Sequence, residues 1–111
     1  MAAKIHGRLA SLSVTANTDQ IDYTVPAGRK ATVTVNVCNR AAGDALIRLA
    51  VIESSSLASL SADDYIEYDT PLPVAGVLLR ERITLGAGQS IVSRSNGTGQ
   101  SVVIWGVEED A

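Results

Sequence analysis

Chemistry needs particular side chains close together, and this sequence supplies few of them. It holds one histidine, His6, and one cysteine, Cys38. A general base needs a positioned partner and a cleft, and a nucleophilic thiol needs a neighbouring base and a depressed pKa. Neither residue has such company in the local sequence. A zinc site of the usual Cys/His type draws on more such ligands than the chain contains. The acids Asp63, Asp64, Glu67 and Asp69 lack the ligand rhythm and central glycine of an EF-hand loop, and alternating acids on a strand form a wet face. Gly86-Ala87-Gly88-Gln89-Ser90 has the glycines of a phosphate cradle without the following Lys-Ser/Thr, so it reads as a turn. Arg80 and Arg82 flank Glu81 and suit surface pairing. The expectation is a protein that is not an enzyme and uses no metal or cofactor.

Composition narrows the partners. Nine basic residues against twelve acidic ones give a net charge of −3, opposite in sign to the basic excess of a nucleic-acid-binding module. The aromatics Tyr23, Tyr65, Tyr68 and Trp105 lack the basic flanks that stack and hold single strands. The opening residues contain no apolar run of the secretory type, and no stretch approaches the ~20 apolar residues of a membrane span. Neither nucleic acid nor membrane is expected as a partner. With one cysteine no intrachain disulfide forms, which suits a reducing compartment.

What remains is a scaffold, and its period is two. From Lys30 to Cys38, Ala31, Val33, Val35 and Val37 fall on one face and Thr32, Thr34 and Asn36 on the other, the alternation of a half-buried strand. Shorter strands are expected around Leu9 to Thr15 and Ile21 to Thr24, with a turn at Val25-Pro26-Ala27-Gly28. Ala45 to Glu53 places Ile47, Leu49 and Val51 together. Residues 54–63 read as a loop pinned by Leu57 and Leu60. Asp64 to Asp69 alternates until Pro71 and Pro73, which are expected to end that strand. In residues 77–85, Val77, Leu79, Ile83 and Leu85 are expected to share a face. Ser90 to Ser95 and Ser101 to Val107 follow, the latter with Trp105 facing the core. Residues 39–44 and Asn96-Gly97-Thr98-Gly99 read as hairpin turns. Residues 108–111 read as a solvated acidic tail.

About seven or eight short strands punctuated by Gly, Pro and Asn specify an all-β chain, an antiparallel β-sandwich of jelly-roll or Ig-like type. One domain is expected over residues 9–111, preceded by a flexible arm over 1–8. Such a sandwich has open sheet edges, and covering by neighbouring copies is one way to protect them.

The segment Tyr23-Thr24-Val25-Pro26-Ala27-Gly28-Arg29-Lys30-Ala31-Thr32-Val33, followed by Val37-Cys38-Asn39-Arg40, resembles small structural proteins of tailed bacteriophages. Asp64-Tyr65-Ile66-Glu67-Tyr68-Asp69, Gly76-Val77-Leu78 and Leu85-Gly86-Ala87-Gly88 keep the same order, so the resemblance spans residues 9–109. It implies a β-sandwich virion protein made in the bacterial cytoplasm, with no catalytic residues to carry over. The expected role is a capsid decoration or cement-type subunit, assembled as a homotrimer and touching major capsid or tail proteins. The alternative is a tail, collar or fibre module that binds a host-surface glycan through Tyr65, Tyr68 or Trp105. Candidate interface residues are Ile5, His6 and Arg8 in the arm, Arg40 after the third strand, Leu57 and Leu60 in the long loop, and Pro71 and Pro73.

Overall fold

Alternation along one strand sets the register of the whole molecule. In the computed structural model, which describes residues 5–111, β3 (Arg29–Asn39) buries Ala31, Val33, Val35, Val37 and Asn39 and turns the residues between them outward. β8 (Gln100–Asp110) lies antiparallel to it in unbroken register, from Arg29 opposite Asp110 to Asn39 opposite Gln100. The remaining strands are β1 (Ile5–Ser13), β2 (Gln20–Thr24), β4 (Ala45–Ile52), β5 (Tyr65–Leu72), β6 (Val77–Leu85) and β7 (Ser90–Ser95). They form two four-stranded antiparallel sheets. Sheet A has the order β1-β8-β3-β6 and sheet B the order β2-β7-β4-β5.

The order has a simple origin. β1 pairs with β8, β2 with β7, β3 with β6 and β4 with β5. Those four pairings describe one long two-stranded ribbon. Rolling it brings β3 against β8 and β4 against β7, which closes the two sheets. The result is a jelly roll, and it decides between the two sandwich types that the sequence leaves open. Only β4 and β5 are consecutive strands in one sheet; every other connection crosses the sandwich. The turns at 39–44 and 96–99 are therefore not hairpins. Each carries the chain from one sheet to the other, and short Gly/Asn loops serve a crossing as well as a reversal.

The core lies between the sheets. Val33, Val35 and Val37 of β3, Val102 and Ile104 of β8, Ile47 and Leu49 of β4, Ile91 of β7 and Leu85 of β6 are all buried. Each such side chain contributes about 1.5–3 kcal/mol by leaving water. A second, small cluster of Ala50, Ile52 and Val92 sits on the outer face of sheet B beneath Leu60 and Tyr65. The loop between β4 and β5 thus covers part of that face, with 3₁₀ turns at Leu57–Ser59 and Ala62–Asp64. Leu60 holds the loop down, while Leu57 stays exposed.

Several expectations are corrected. Residues 5–8 are not an arm: Ile5, His6, Gly7 and Arg8 pair with Glu108, Val107, Gly106 and Trp105; the rest of the expected arm, 1–4, lies outside the described residues. In β6 the face switches at a bulge where Glu81 and Arg82 together oppose Thr34. Val77 and Leu79 therefore point outward, and Leu78 packs on the core beside Ile83 and Leu85. Pro71 does not end β5, which runs on to Leu72, because β5 is an edge strand and needs no donor on its open side. Trp105 faces outward, and Glu108 is buried at 6% exposure, so the tail is not wholly solvated.

The turn 26–29 carries a bond from the Arg29 N–H to the Pro26 carbonyl, with Gly28 at φ 77° supplying the left-handed conformation. Among the described residues no helix is long and apolar enough to cross a membrane.

The end of the sandwich where β3 finishes is held by a buried polar knot. Asn39 Nδ2 donates to the carbonyls of Gly43, Leu72 and Pro73 at 3.0, 3.1 and 3.3 Å. Asn39 Oδ1 accepts from the Ala41 N–H and from Gln100 Nε2, each at 3.0 Å. Ser95 Oγ donates to Gln100 Oε1 at 2.8 Å. One side chain therefore ties three crossing connections together. Asn39→Ala leaves these buried groups unpaired and is expected to lower the unfolding free energy by about 2–4 kcal/mol, measured by urea denaturation.

Candidate functional site

Three surfaces carry the functional residue types, and none of them is a deep cleft. The outer face of sheet A is set by the outward positions of its strands. In successive rows it presents Val77, Cys38, Ser101 and Ser13; then Leu79, Asn36, Val103 and Ser11; then Thr34, Trp105 and Arg8. Apart from Arg8, and from Glu81 and Arg82 in the β6 bulge opposite Thr34, these rows are uncharged. Val77 is 56% exposed, Leu79 44% and Trp105 39%. Cys38 is a free thiol in the first row, the outward placement its strand position implies. At one end of the face Arg40 Nε donates to Ser101 Oγ at 2.5 Å and Arg40 Nη2 to Ser13 Oγ at 3.4 Å, which spreads the guanidinium across two strands.

The second surface is the side of the sandwich where β6 and β5, the free edges of the two sheets, face one another. An open groove of about 500 Å³ runs between them, with Val51, Ile66 and Ile83 among its lining residues and Leu79, Arg80, Glu81 and Arg82 from β6. Arg80 Nη1 reaches across to Glu67 Oε2 at 3.1 Å. Glu67 Oε1 also accepts from Thr70 Oγ1 at 2.6 Å. Such a surface ion pair adds at most about 1 kcal/mol; its effect is to fix where the groove's charge lies.

The third surface is the uncovered part of the outer face of sheet B. Arg48 of β4 and Arg94 of β7 are direct register partners. Like charges opposite one another are unfavourable, and each has an acid beside it. Arg48 Nε and Nη2 donate to Asp69 Oδ1 and Oδ2 at 2.7 and 3.2 Å, and Arg94 Nη1 stands 3.5 Å from Asp19 Oδ1. The Arg48 contact holds the Asp69 carboxyl below the ordinary aspartate value. Asp69 reaches Arg48 because β5 bulges at Tyr68 and Asp69, with Asp69 at φ 50°. The same bulge lays the Tyr68 ring under the Arg48 guanidinium, 4.2 Å from ring centroid to Cζ, and against Tyr65 edge-on with centroids 5.0 Å apart. Beside them is a depression of about 80 Å³ lined by Asn17, Leu46, Arg48, Asp69, Arg94, Ser95 and Asn96.

The expected interface residues are dispersed. His6 and Arg8 lie on the edge strand β1, with Ile5 at its start. Arg40 and Pro73 sit at the Asn39 end, Pro73 through its carbonyl's bond from Asn39 Nδ2 and Arg40 through its N–H to the Gly99 carbonyl at 2.8 Å, and Pro71 is nearby in β5. Leu57 and Leu60 belong to the β4–β5 loop, which reaches β7 through a bond from Ser90 Oγ to the Ser54 carbonyl at 2.8 Å. The four acids also separate: Asp64 Oδ2 accepts from the Ser61 N–H at 2.8 Å, Glu67 meets Arg80 and Asp69 meets Arg48. Among the described residues no group of three or more His, Cys, Asp or Glu is placed to hold a metal. Tyr68 and Trp105, grouped as possible sugar platforms, lie on opposite faces of the molecule. The sequence gives no hint of Arg94 or Asn17 as neighbours of Arg48 and Asp69, since three separate strands and a loop bring them together.

Three buried ionisable groups, Tyr23, Glu108 and Asp22, stand apart from these surfaces. Tyr23 of β2 donates its hydroxyl to Glu108 Oε2 of β8, linking the sheets at the end opposite Asn39. Burial and then this carboxylate both raise the Tyr23 pKa. Asp22 is the extra residue of the bulge in β2, 8% exposed. Burial pushes its carboxyl up to about 6, against the opposing pull of Ser93 and Gln20. Gln20 Nε2 donates to Asp22 Oδ1 at 3.3 Å, while Asp22 Oδ2 and Ser93 Oγ have no hydrogen-bond partner.

Comparison with protein-family models and with curated proteins finds no match to this chain.

Because Asp22 holds its proton more tightly folded than unfolded, its contribution to stability is greatest at low pH and is lost as pH rises from about 4 to about 6. Asp22→Asn is uncharged at every pH and carries an amide able to reach Ser93 Oγ. It is expected to stabilise the protein by roughly 1–3 kcal/mol at pH 7 and by little at pH 4, as read from thermal melts across that range.

Proposed function

We propose that this chain is a structural subunit of a tailed-bacteriophage particle, a capsid decoration or cement-type protein that acts through protein–protein contacts. In this reading it assembles in the host cytoplasm as a homotrimer and joins the virion by binding major capsid or tail proteins. The sequence resemblance supplies the particle. Support from the fold is general: the jelly roll is an architecture that viral capsid and lectin domains share with others.

The observation that carries the reading is the outer face of sheet A together with the groove beside it. Three large apolar side chains, Val77, Leu79 and Trp105, stand in solvent on a face whose inner rows are Ser, Thr, Asn and Val. Four strands at about 4.8 Å spacing and up to about 36 Å of strand length give a face of roughly 700 Å². One partner's share of a standard specific interface is about 800 Å². A flat, weakly charged face of that size suits association with a protein surface better than enclosure of a small molecule. Leu79 lies at the boundary of face and groove, so one contact spanning both covers the apolar edge of β6.

The purified chain is expected to sediment as a trimer. Leu79→Asp and Trp105→Asp each place a charge on the face without touching the core, and each is expected to weaken association by about tenfold or more while the melting temperature and circular dichroism of the subunit persist. Particles should carry the subunit as discrete density by cryo-electron microscopy. A wild-type chain that remains monomeric and never appears on particles overturns the proposal.

A further inference from the structure

We propose that Asn96-Gly97 is a site of covalent self-modification, at which the Gly97 backbone nitrogen closes on the Asn96 side chain to give a succinimide and then aspartate or isoaspartate. The site lies in the connection from β7 to β8 and does not depend on the contacts assigned above.

An Asn-Gly pair signals a type I′ hairpin turn, which takes a positive φ at both residues. Here neither residue has one, and the segment crosses between sheets instead of reversing within one. A Cβ built on Gly97 meets nothing within 4 Å, whereas Gly99 combines φ 94° with close approach to Ala41. The fold therefore uses Gly99 as a glycine and makes no such use of Gly97. What a glycine nitrogen does offer is an unhindered nucleophile beside an amide. The three other asparagines lack that neighbour: Asn17 is followed by Thr18, Asn36 by Val37 and Asn39 by Arg40. Asn36 and Asn39 also lie within β3.

The surroundings hold the electrophile by its oxygen. Asn96 is exposed, and it adds one rung to the β4–β7 pairing. Its N–H donates to the Leu46 carbonyl at 3.3 Å and its Oδ1 accepts the Leu46 N–H at 2.9 Å. A donor on Oδ1 draws charge from Cγ and stabilises the oxyanion that forms as nitrogen adds there. The Gly97 N–H donates to Ser95 Oγ at 3.2 Å, a long bond that gives way when the proton leaves. Solvent hydroxide takes that proton and the nitrogen bonds to Cγ. The Cγ–Nδ2 bond then breaks, and Nδ2 leaves as ammonia with a proton from water. Water next adds to one of the two imide carbonyls and opens the ring. Cleavage at Cγ gives aspartate; cleavage at the Asn96 backbone carbonyl gives isoaspartate, whose main chain runs through the side chain and gains a methylene.

Both products act on their neighbours. Aspartate at this position adds a carboxylate to the depression shared with Arg48 and Arg94, whose charges Asp69 and Asp19 otherwise balance. Isoaspartate lengthens the chain between Ser95 and Gln100, whose side chains bond to each other at 2.8 Å. Gln100 Nε2 in turn holds Asn39 Oδ1 at 3.0 Å, so the added methylene loosens the knot that ties the crossing connections.

The test is peptide mapping by mass spectrometry of the folded full chain during incubation in mildly alkaline buffer, with chromatography resolving aspartate from isoaspartate. Conversion at Asn96 is expected to outrun that at Asn17, Asn36 and Asn39 by about tenfold or more. Gly97→Ala, which the space around Gly97 admits, should slow it by about tenfold without lowering the melting temperature. The isoaspartate fraction, once separated, is expected to melt about 4–8 °C below the unmodified chain; equal melting overturns the coupling to the Asn39 knot. If Asn96 stays intact in the folded chain while it converts in the urea-unfolded chain, or if Gly97→Ala converts as fast as the wild type, the proposal fails.

Discussion

The β3–β8 ladder is the constraint on which the rest of the molecule depends. It is eleven residues long, unbroken, and central to sheet A. Each end is fastened by a different kind of polar group. At one end Asn39 and Gln100, both 1% exposed, bond to each other and to the connections around them. At the other, Glu108 accepts the Tyr23 hydroxyl from sheet B. Beyond it Lys30 faces Glu109 and Arg29 faces Asp110 in register. Between the clamps the inward positions are all small or β-branched aliphatics. A one-residue slip would send those valines to solvent and bury threonines, and would also strand both polar clamps. Hydrophobic burial drives the sheets together, and the clamps specify the register in which they meet.

The four edge strands obey the opposite rule. β1 carries an extra residue at Leu9, β2 at Asp22, β5 at Ile66 and at Tyr68–Asp69, and β6 at Glu81–Arg82. The two central pairings, β3 with β8 and β4 with β7, have no shift at all. Bulges bend and twist an edge and interrupt the regular row of free amides that invites another strand. The sequence suggests edges that need covering by other copies, since lysines and prolines are scarce. The structure shows a different protection, built from backbone geometry, with Pro71 adding to it on β5. Contacts through the flat face of sheet A are then favoured over strand addition at an edge.

Which parts were legible in the sequence follows from this division. β3 and β4 lie inside regular ladders, so period two reads directly: Ala31, Val33, Val35 and Val37 are inward as the alternation says, and so are Ile47 and Leu49. In β6 the same rule misplaces Val77 and Leu79, because one bulge reverses parity halfway along and nothing in Arg80-Glu81-Arg82 announces it. The turns were visible as turns. Their destinations were not, since the same Gly/Asn chemistry joins two strands of one sheet or two sheets. Trp105 and Glu108 were misread by composition: valine neighbours suggested burial for the tryptophan, and an acidic run suggested solvent for the glutamate. Ladder register overrides both. Gly106 lies between those two residues, and its lack of a side chain has a reason visible only in three dimensions: a Cβ there would collide with the Thr32 carbonyl oxygen.

The same bulges that protect the edges also place the functional side chains. Without the extra residue in β5, Asp69 would not lie beside Arg48 and Tyr68 would not reach its guanidinium. Without the one in β6, the charged Arg80-Glu81-Arg82 stretch would not fold round the rim of the groove while Leu79 stays outward. A regular sandwich offers two flat faces about 10 Å apart across its core and little else. Irregular edges convert one face into a surface of paired charges and leave the other mixed and only weakly charged. The two differ because sheet B carries both cross-strand arginines, with acids from a bulge and a loop to neutralise them, whereas sheet A's outward rows are Ser, Thr, Asn and Val. The core separates them, so a protein bound to sheet A leaves the face of sheet B open to solvent.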